Sequence, residues 1–241
     1  MGTPANASAT LVLLRHGLTA VTGSVLAGRA PGIDLDDRGR RQAEDTARRL
    51  AGLHLDAIVT SPLERCRQTA EPLAAALGLD PVVDERFSEC DYGTWTGRTL
   101  EELKDEPEWP VVQQHPSAAR FPGGESLAQV SARAVEAVRD WNARLTAASG
   151  TGRPRYLVCA HGDVIKAVAA DALGMHLDLF QRIQVDPCSV TAVRYTAARP
   201  FLLRLNDVGA TADGLAPPPQ EGAQEEGGDA VVGGGAGAAR L

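Results

Sequence analysis

Two histidines follow short aliphatic runs in the same local pattern. Residues 11–17 read LVLLRHG and residues 156–162 read YLVCAHG, so His16 and His161 each end an apolar run and precede a glycine. Imidazole can act as a nucleophile or a proton carrier at neutral pH, because its ordinary pKa is about 6.5. Arg15, directly before His16, adds a cation that pairs bidentately with phosphate. The pattern predicts an anion site with histidine chemistry.

Apolar runs and helical patterns alternate along the first two thirds of the chain. The runs typical of strands are residues 10–14, 56–60, 81–85, 155–160, 189–196 and 200–206. Helices are expected at residues 37–51, 61–77, 99–105, after Gly124, and at 163–173. Strands alternate with helices early and pair late. The order predicts an α/β protein, a three-layer α/β/α sandwich with a mostly parallel mixed central sheet.

The carboxyl ends of parallel strands share one edge of a sheet, and α/β proteins bind ligands there. His16 and His161 follow two of the predicted strands, and Arg65 lies near the start of the helix after a third. Ser61 is expected to cap that helix, with Pro62 at its first position. Helix N-termini add free N–H groups and a positive dipole end. These groups are predicted to converge on one phosphate pocket.

Five segments, in chain order, carry a resemblance to a known family. They are LLRHGLT (13–19), SPLERCRQTAE (61–71), SECDYGTWTG (88–97), PGGES (122–126) and AHGDVIKA (160–167). Together they resemble the histidine phosphatase superfamily, in the branch that is similar to cofactor-dependent phosphoglycerate mutases and related phosphatases. The resemblance covers about residues 10–170.

The resemblance implies phosphoryl transfer with no metal and no cofactor. His16 would attack phosphorus and form a phosphohistidine, and Glu89 would protonate the leaving oxygen and then take a proton from water. The groups that would hold the phosphoryl oxygens are Arg15, Arg65 and His161. Burial raises the pKa of a carboxyl and nearby arginines lower it, so the protonation state of Glu89 is open at this point.

A second group of residues is expected near the phosphate or at the substrate mouth. Thr22 stands where the family often has Asn and keeps a hydroxyl that could touch phosphate, and Leu18 stands where the family often has Glu or Gln. Further candidates for the mouth are Arg29, Trp95, Trp109, His115, Arg120 and Phe121. Gly17 is expected to allow a sharp turn and a close approach of phosphate to the backbone.

Three function classes remain open: a phosphatase of small phosphorylated metabolites, a phosphoglycerate-type phosphomutase, and a non-catalytic phosphate-binding module. Only 32 residues separate Glu89 from Pro122, where mutases usually carry a long insertion, and this favours the phosphatase. A binding module would not need the acid Glu89. Cys188 and Arg194 also fit the C-x5-R spacing of cysteine-dependent phosphatases, but the stretch between them alternates and lacks glycine, which predicts a strand.

Composition narrows the expected partners and location. The 241 residues carry a formal net charge of −7, so a basic nucleic-acid face is not expected. No apolar run approaches a membrane span and no leader-like segment is apparent, which predicts a cytoplasmic protein acting on a small phosphomonoester; a homodimer is possible. The predicted boundaries are a flexible N-terminus (1–9), a catalytic domain (10–211) and a disordered Gly/Ala/Pro-rich acidic tail (212–241).

Overall fold

Six strands form a single mixed sheet in the part of the chain that the computed structural model describes, residues 7–209 with Gly233 and Gly235. The strands are β1 (Ser8–Arg15), β2 (Ala57–Thr60), β3 (Val82–Val83), β4 (Arg155–Ala160), β5 (Val190–Thr196) and β6 (Pro200–Asp207). Their order is β3-β2-β4-β1-β5-β6. The first four are parallel, and β5 and β6 each run antiparallel to the preceding neighbour.

Helices cover both faces of this sheet. They are α1 (Asp37–Leu50), α2 (Glu64–Leu77), α3 (Leu100–Leu103), α4 (Trp109–Gln114), α5 (Leu127–Ala148) and α6 (Gly162–Leu173). Side chains of β1 alternate between two cores: Leu11 and Leu13 pack with α5 and α6, whereas Val12 and Leu14 face the layer of α1 and α2. This period-two alternation is what a strand buried on both faces requires. The predicted α/β class with a mostly parallel mixed sheet and helices on both faces is confirmed.

Helix caps explain where two long helices begin. Asp36 caps α1 through a hydrogen bond that its carboxylate accepts from the Gly39 N–H at 2.7 Å. Ser126 and Gln129 form a reciprocal capping box at the start of α5. Both helices start close to the residues that the sequence pattern predicts.

The start of α2 differs from the expectation. The helix begins at Glu64, and Leu63 precedes it without a side-chain cap. The Ser61 hydroxyl lies 2.8 Å from Nε2 of His161, and it accepts a longer hydrogen bond from the Leu63 N–H at 3.4 Å, just before the helix. The serine-proline pair predicted a helix cap from local chemistry. In the structure, Ser61 does not cap α2, and its hydroxyl makes a long-range contact with His161.

Gly17 is required by packing rather than by a left-handed turn. A Cβ at Gly17 would lie 2.8 Å from the carbonyl oxygen of Gly39 in α1, and one at Gly39 would lie 2.0 Å from the carbonyl oxygen of Leu18. Gly17 is not among the residues with positive φ. Because both residues are glycines, the backbone of residues 17–18 packs in direct contact with the backbone of α1 at Gly39. This contact holds the backbone directly after His16 in place.

The first and last described residues can be compared with the predicted N-terminal and C-terminal segments. β1 already starts at Ser8, within the segment predicted to be flexible. Most of the predicted tail, residues 210–232, 234 and 236–241, lies outside the described residues, as do residues 1–6. None of the described helices combines the length and apolar character needed to cross a membrane.

Candidate active site

His16 lies directly after β1, at the carboxyl edge of the sheet, and is 6% exposed. Its Nδ1 is 2.8 Å from the carbonyl oxygen of Gly17. Because a carbonyl oxygen can only accept, Nδ1 carries the proton and donates, which leaves Nε2 with its lone pair. Burial and the neighbouring cations Arg65 and Arg15 hold the pKa of His16 well below its usual range. The ring is therefore neutral at neutral pH, with a nucleophilic nitrogen available.

His161 follows β4 at the same sheet edge and is fully buried. Its ring centroid lies 5.2 Å from that of His16, in an edge-on arrangement. Nε2 contacts the Ser61 hydroxyl at 2.8 Å and the Cys66 sulfur at 3.4 Å. Burial, Arg65 and His16 hold the pKa of His161 well below its usual range. His161 is thus neutral at neutral pH. Its Nε2 is occupied by contacts with Ser61 and Cys66, whereas His16 makes its contact through Nδ1.

Two buried guanidinium groups carry N–H donors without acceptors. Arg15 donates through Nη1 to the carbonyl of Val185 at 2.7 Å, and Arg65 donates through Nη2 to the carbonyl of Gly28 at 2.7 Å. Arg15 Nε, Arg65 Nε and Arg65 Nη1 have no hydrogen-bond partner among the described residues. Burial lowers the pKa of Arg15 to about 10, so it remains cationic at neutral pH. Buried donors of this kind call for an anionic oxygen acceptor.

Glu89 lies in the cavity wall beside these cations and is 3% exposed. Its Oε1 accepts a hydrogen bond from the Cys90 N–H at 2.9 Å. Its backbone carbonyl is held by Arg29 Nε at 2.8 Å and by Arg133 Nη2 at 3.1 Å. Burial, with the Asp163 charge second, raises the pKa of Glu89 to about 7 against the opposing Cys90 N–H and arginines. Burial outweighs the arginines, so a large fraction of Glu89 is protonated at neutral pH.

Three residues near the site were not predicted as site residues from the sequence. Ser61 binds His161, as described above, and the Tyr92 hydroxyl donates to Oδ2 of Asp163 at 2.7 Å. Asp163 is fully buried at the start of α6. All three belong to the segments that carry the family resemblance, so their position in those segments was the available signal. What those segments did not reveal is which side chains bind one another.

One cavity joins these groups. Its lining includes Arg15, His16, Thr19, Thr22, Gly28, Arg65, Glu89, Tyr92, Gly233 and Gly235. Gly235 accepts a hydrogen bond at its carbonyl oxygen from Arg15 Nη1 at 2.5 Å, and Gly233 donates its N–H to Asp163 Oδ2 at 3.3 Å. The space left beside them is about 40 Å³, enough for a few water molecules. Two residues near the C-terminus therefore occupy the cavity.

All six residues expected to act on phosphate line the cavity or adjoin its nucleophile directly. Arg15, His16, Arg65 and Glu89 line it, and His161 contacts the ring of His16. Thr22 lines it as well, and its Oγ1 accepts from the Thr19 N–H at 2.9 Å and contacts the Thr19 hydroxyl at 2.8 Å. Thr22 therefore holds the loop after β1 in shape.

The residues expected at the substrate mouth lie elsewhere. Leu18 is buried, with its N–H bound to Gln42 and its carbonyl bound to Asp36. Arg29 spans the Glu89 carbonyl and the Glu125 carboxylate, at 2.8 Å from each, and so supports the loop that carries Glu89. His115 is exposed at the end of α4 and does not line the cavity.

The aromatic candidates for the mouth belong to the core. Trp95 is 1% exposed, with its ring centroid 6.2 Å from that of Trp109 and 5.3 Å from that of Phe121. Large apolar rings bury their surface when a core is within reach, and the segment between β3 and α5 folds its rings inward. Arg120 is exposed and pairs through its backbone with Ser126. None of these four lines the described cavity.

The C-x5-R spacing does not form a cysteine nucleophile. The stretch after Cys188 is the strand β5, as expected. Burial raises the pKa of the Cys188 thiol to about 12, so it stays protonated, whereas a cysteine nucleophile needs a thiolate. Among residues 7–209, Gly233 and Gly235, no three His, Cys, Asp or Glu side chains cluster in a way that could hold a metal ion.

Comparison with known proteins identifies the family. The model of the histidine phosphatase superfamily (branch 1) matches residues 11–208. The chain is 34% identical over 206 residues to phosphoserine phosphatase 1 of Hydrogenobacter thermophilus, covering 81% of this chain and 91% of the relative. It is 33% identical over 186 residues to a probable phosphoglycerate mutase of Cronobacter sakazakii, covering 76% and 83% of the two chains.

A solved structure agrees with the sequence matches. The native structure of a mycobacterial glucosyl-3-phosphoglycerate phosphatase superposes with a TM-score of 0.75 at 27% identity, covering 83% of this chain and 99% of the other. The family predicted from the five segments and the enzyme class it implies, a phosphoric monoester hydrolase, are thereby confirmed. The chain belongs to the histidine phosphatase superfamily.

Proposed function

We propose that this protein hydrolyses small phosphorylated metabolites through a phosphohistidine on His16, with Glu89 as general acid and then general base and without a metal ion. The observation that carries the proposal is the set of buried, acceptor-free N–H donors at Arg15 and Arg65 around the free Nε2 of His16. A phosphoryl group supplies the missing acceptors and sets phosphorus beside the nucleophile. Relatives named for phosphoserine and for glucosyl-3-phosphoglycerate support substrates of this size.

In the first step, the lone pair of His16 Nε2 forms a bond to phosphorus while the ester P–O bond breaks. The electron pair of that bond goes to the leaving oxygen, which takes the proton of Glu89. Arg15, Arg65 and His161 lie where they can stabilise the charge spread over the phosphoryl oxygens. The Nδ1–H of His16, held by the Gly17 carbonyl, stabilises the positive charge that the ring gains.

In the second step, a water oxygen bonds to phosphorus while the P–N bond to His16 breaks. Glu89, now a carboxylate, takes a proton from that water, and the electron pair returns to Nε2. Phosphate leaves, and Glu89 is again protonated. The raised pKa of Glu89, about 7, suits a group that must both give and take a proton near neutral pH.

The Glu89→Gln variant tests this proposal. We expect hydrolysis of alkyl phosphates to fall about 10²- to 10⁴-fold, because their leaving oxygen needs a proton. Hydrolysis of p-nitrophenyl phosphate should fall far less in the first step, because that leaving group departs as an anion. The measurement is burst and steady-state kinetics on both esters, with Glu101→Gln, an exposed glutamate paired with Lys104, as the matched control. Equal losses on both esters would contradict the acid role.

The pH dependence offers a second test of the same role. Glu89 must be protonated for the first step, and its pKa is raised, so kcat/KM for an alkyl phosphate should decline as pH rises through about 7. The decline should be absent for p-nitrophenyl phosphate. A profile of the alkyl ester that stays flat from pH 6 to pH 9 would contradict the protonated acid.

A phosphoglycerate-type mutase is the second candidate, because a relative at 33% identity carries that description. The two activities differ in whether the phosphohistidine gives its phosphoryl group to water or back to a bound product. Incubation with 3-phosphoglycerate and measurement of both free phosphate and 2-phosphoglycerate separates them. We expect phosphate release to dominate.

The predicted homodimer and cytoplasmic location stay predictions. Gel filtration measures the first, and cell fractionation measures the second.

A further inference from the structure

Glu125, just before the start of α5, is a partly buried carboxylate that binds two arginines. Its Oε1 accepts a hydrogen bond from Arg133 Nε at 2.9 Å. Its Oε2 accepts from Arg133 Nη2 at 3.0 Å and from Arg29 Nη2 at 2.8 Å. Burial raises the pKa of Glu125, but the hydrogen bonds and charges of these partners outweigh burial and hold it below its usual range. Glu125 is therefore a carboxylate at neutral pH, shared by two cations.

Both arginines also hold the backbone of the proposed acid. Arg29 Nε donates to the Glu89 carbonyl oxygen at 2.8 Å, and Arg133 Nη2 donates to the same oxygen at 3.1 Å. Arg133 Nη1 further donates to the carbonyl of Arg86 at 2.7 Å, three residues before the acid. Glu125 is thus linked to the Glu89 backbone through two guanidinium groups. Hydrogen bonds between charged groups are among the strongest, so this linkage restrains the acid.

The backbone of Glu125 is also joined to the loop that follows Glu89. The Glu125 N–H donates to the Asp91 carbonyl at 2.8 Å, and the Asp91 N–H donates to Glu125 Oε2 at 3.0 Å. Glycines stand where the two segments touch, because a Cβ at Gly93 or at Gly124 would collide with the facing backbone. The two segments therefore pack as one unit, and a change at Glu125 reaches the loop that carries the acid.

The charges around Glu89 give Glu125 a second effect. Burial and then the Asp163 charge raise the pKa of Glu89 to about 7, against the Cys90 N–H and the cations Arg65 and Arg133. The titratable or charged groups that interact electrostatically with Glu89 come from β1 (Arg15), α2 (Arg65), α5 (Arg133), α6 (Asp163, Lys166) and its own loop (Cys90, Tyr92). Cations near a carboxyl favour its ionised form. The Glu125 carboxylate offsets two of the cations closest to the Glu89 backbone.

We propose that Glu125 is a positioning residue for the proton donor: it holds both arginines that bind the Glu89 carbonyl, and it neutralises their charge so that Glu89 retains its proton. This inference rests on the proposed function, because it concerns the acid role of Glu89. It assigns Glu125 no contact with the substrate, and the effect of Glu125 passes through Arg29 and Arg133.

Two substitutions that remove opposite charges test the proposal. The measurement is kcat/KM from pH 5 to pH 9 for ethyl phosphate, whose leaving oxygen needs a proton, and for p-nitrophenyl phosphate. In the wild type, kcat/KM for ethyl phosphate should decline through about pH 7. In Glu125→Gln this decline should move about one pH unit lower, because two cations lose their anionic partner. In Arg29→Gln it should move roughly half a unit higher, because the carboxylate stays and one cation is lost.

The opposite signs distinguish this role from a merely structural one. A loop that is only loosened exposes Glu89 to water, and since burial is what raises its pKa, the decline would then move lower in both variants. The ionisation of ethyl phosphate is the same for every variant, so a shift relative to the wild type reports the enzyme. The profile for p-nitrophenyl phosphate should keep its shape in both variants, because its leaving group departs without the proton.

A conservative variant and a matched control complete the experiment. Glu125→Asp keeps the charge on a shorter side chain and should return the decline to near its wild-type position. Glu106→Gln makes the same change at another partly buried glutamate, which pairs with Arg98, and should leave the decline in place. Arg29→Gln decides the matter if Glu125→Gln fails to fold, because only charge compensation predicts a shift to higher pH.

The outcomes separate this inference from the proposed function. A decline that moves lower in Glu125→Gln and higher in Arg29→Gln supports the role of Glu125. Shifts in one direction, or a decline that stays in place in either variant, overturn that role while the wild type still shows its decline. A wild-type profile without the decline, or a wild-type protein that hydrolyses neither ester, overturns the proposed function itself.

Discussion

The two strand-end histidines share a sequence pattern and differ in their hydrogen bonds. His16 binds the Gly17 carbonyl through Nδ1, and its Nε2 has no hydrogen-bond partner among the described residues, whereas Nε2 of His161 contacts Ser61 and Cys66. Both rings are buried among the same arginines, and both pKa values are depressed. The comparison teaches that an identical apolar-His-Gly motif can leave a ring nitrogen open or occupied, which is the difference on which the proposed roles of nucleophile and supporting group depend.

Replacing the proposed nucleophile should have the largest effect. His16→Ala removes the atom that would carry the phosphoryl group, so we expect kcat to fall roughly 10³-fold or more. No acid-labile, base-stable phosphoenzyme should form on incubation with a labelled phosphomonoester and acid or alkali quench. A labelled enzyme in this variant would assign the nucleophile to another residue and reverse the comparison.

The same substitution at the other histidine should be milder. His161→Ala removes one group beside the phosphoryl oxygens but keeps the nucleophile, so we expect a loss of about 10²- to 10³-fold in kcat. The phosphoenzyme should still form, more slowly, in rapid-quench experiments. Losses of equal size in the two variants, without phosphoenzyme in either, would remove the distinction between the two rings.

The dependence of kcat/KM on acid pH tests whether the rings of His16 and His161 are neutral during catalysis. A histidine with a depressed pKa loses its lone pair only well below pH 6.5, so the nucleophile should not limit kcat/KM in the range around pH 6.5. We expect any acid limb in that range to follow the second ionisation of the phosphate ester. Repeating the profile with a phosphorothioate ester, whose ionisation is shifted, separates substrate from enzyme. A limb at pH 6.5 that stays fixed for both esters would contradict a depressed pKa at His16.

Removing the partner of His161 should have a smaller effect. Ser61→Ala deletes one hydrogen bond to Nε2, worth about 0.5–1.5 kcal/mol, so we expect kcat to fall about two- to tenfold. Ser88→Ala, at another buried serine, is the control. The measurement is steady-state kinetics on p-nitrophenyl phosphate. An unchanged kcat would show that the orientation of His161 does not depend on Ser61.

Ending the chain at Gly209 should change substrate binding and spare the chemistry. Gly235 contacts Arg15 beside His16, and the truncation frees that donor. We expect KM to fall about two- to fivefold, consistent with the loss of one competing hydrogen bond, while kcat stays within twofold. Steady-state kinetics of both chain lengths on the same ester measure this. A KM that is unchanged or raised would show that the glycines do not compete with substrate.

Much of the fold and the principal site could be predicted from sequence, because both depend on local signals. The strand at residues 10–14 and the helix that begins near Asp37 follow from neighbouring residues, and the five segments predicted Arg15, His16, Arg65, Glu89 and His161 as site residues. The other features depend on contacts between residues that are far apart in the sequence. Trp95 packs against Trp109 in the core, and the Ser61 hydroxyl makes its shorter contact with His161. The proton on Glu89 required the balance of burial and nearby charges, which only coordinates provide.

The contact between Gly235 and Arg15 has a consequence for how the protein responds to its surroundings. A group on the same polypeptide is present at the site at an effective concentration set by the length of the intervening chain. Dilution, protein abundance and the composition of the cell leave that concentration unchanged. If Arg15 binds phosphate as proposed, the chain itself therefore sets the substrate level below which this arginine is occupied by Gly235.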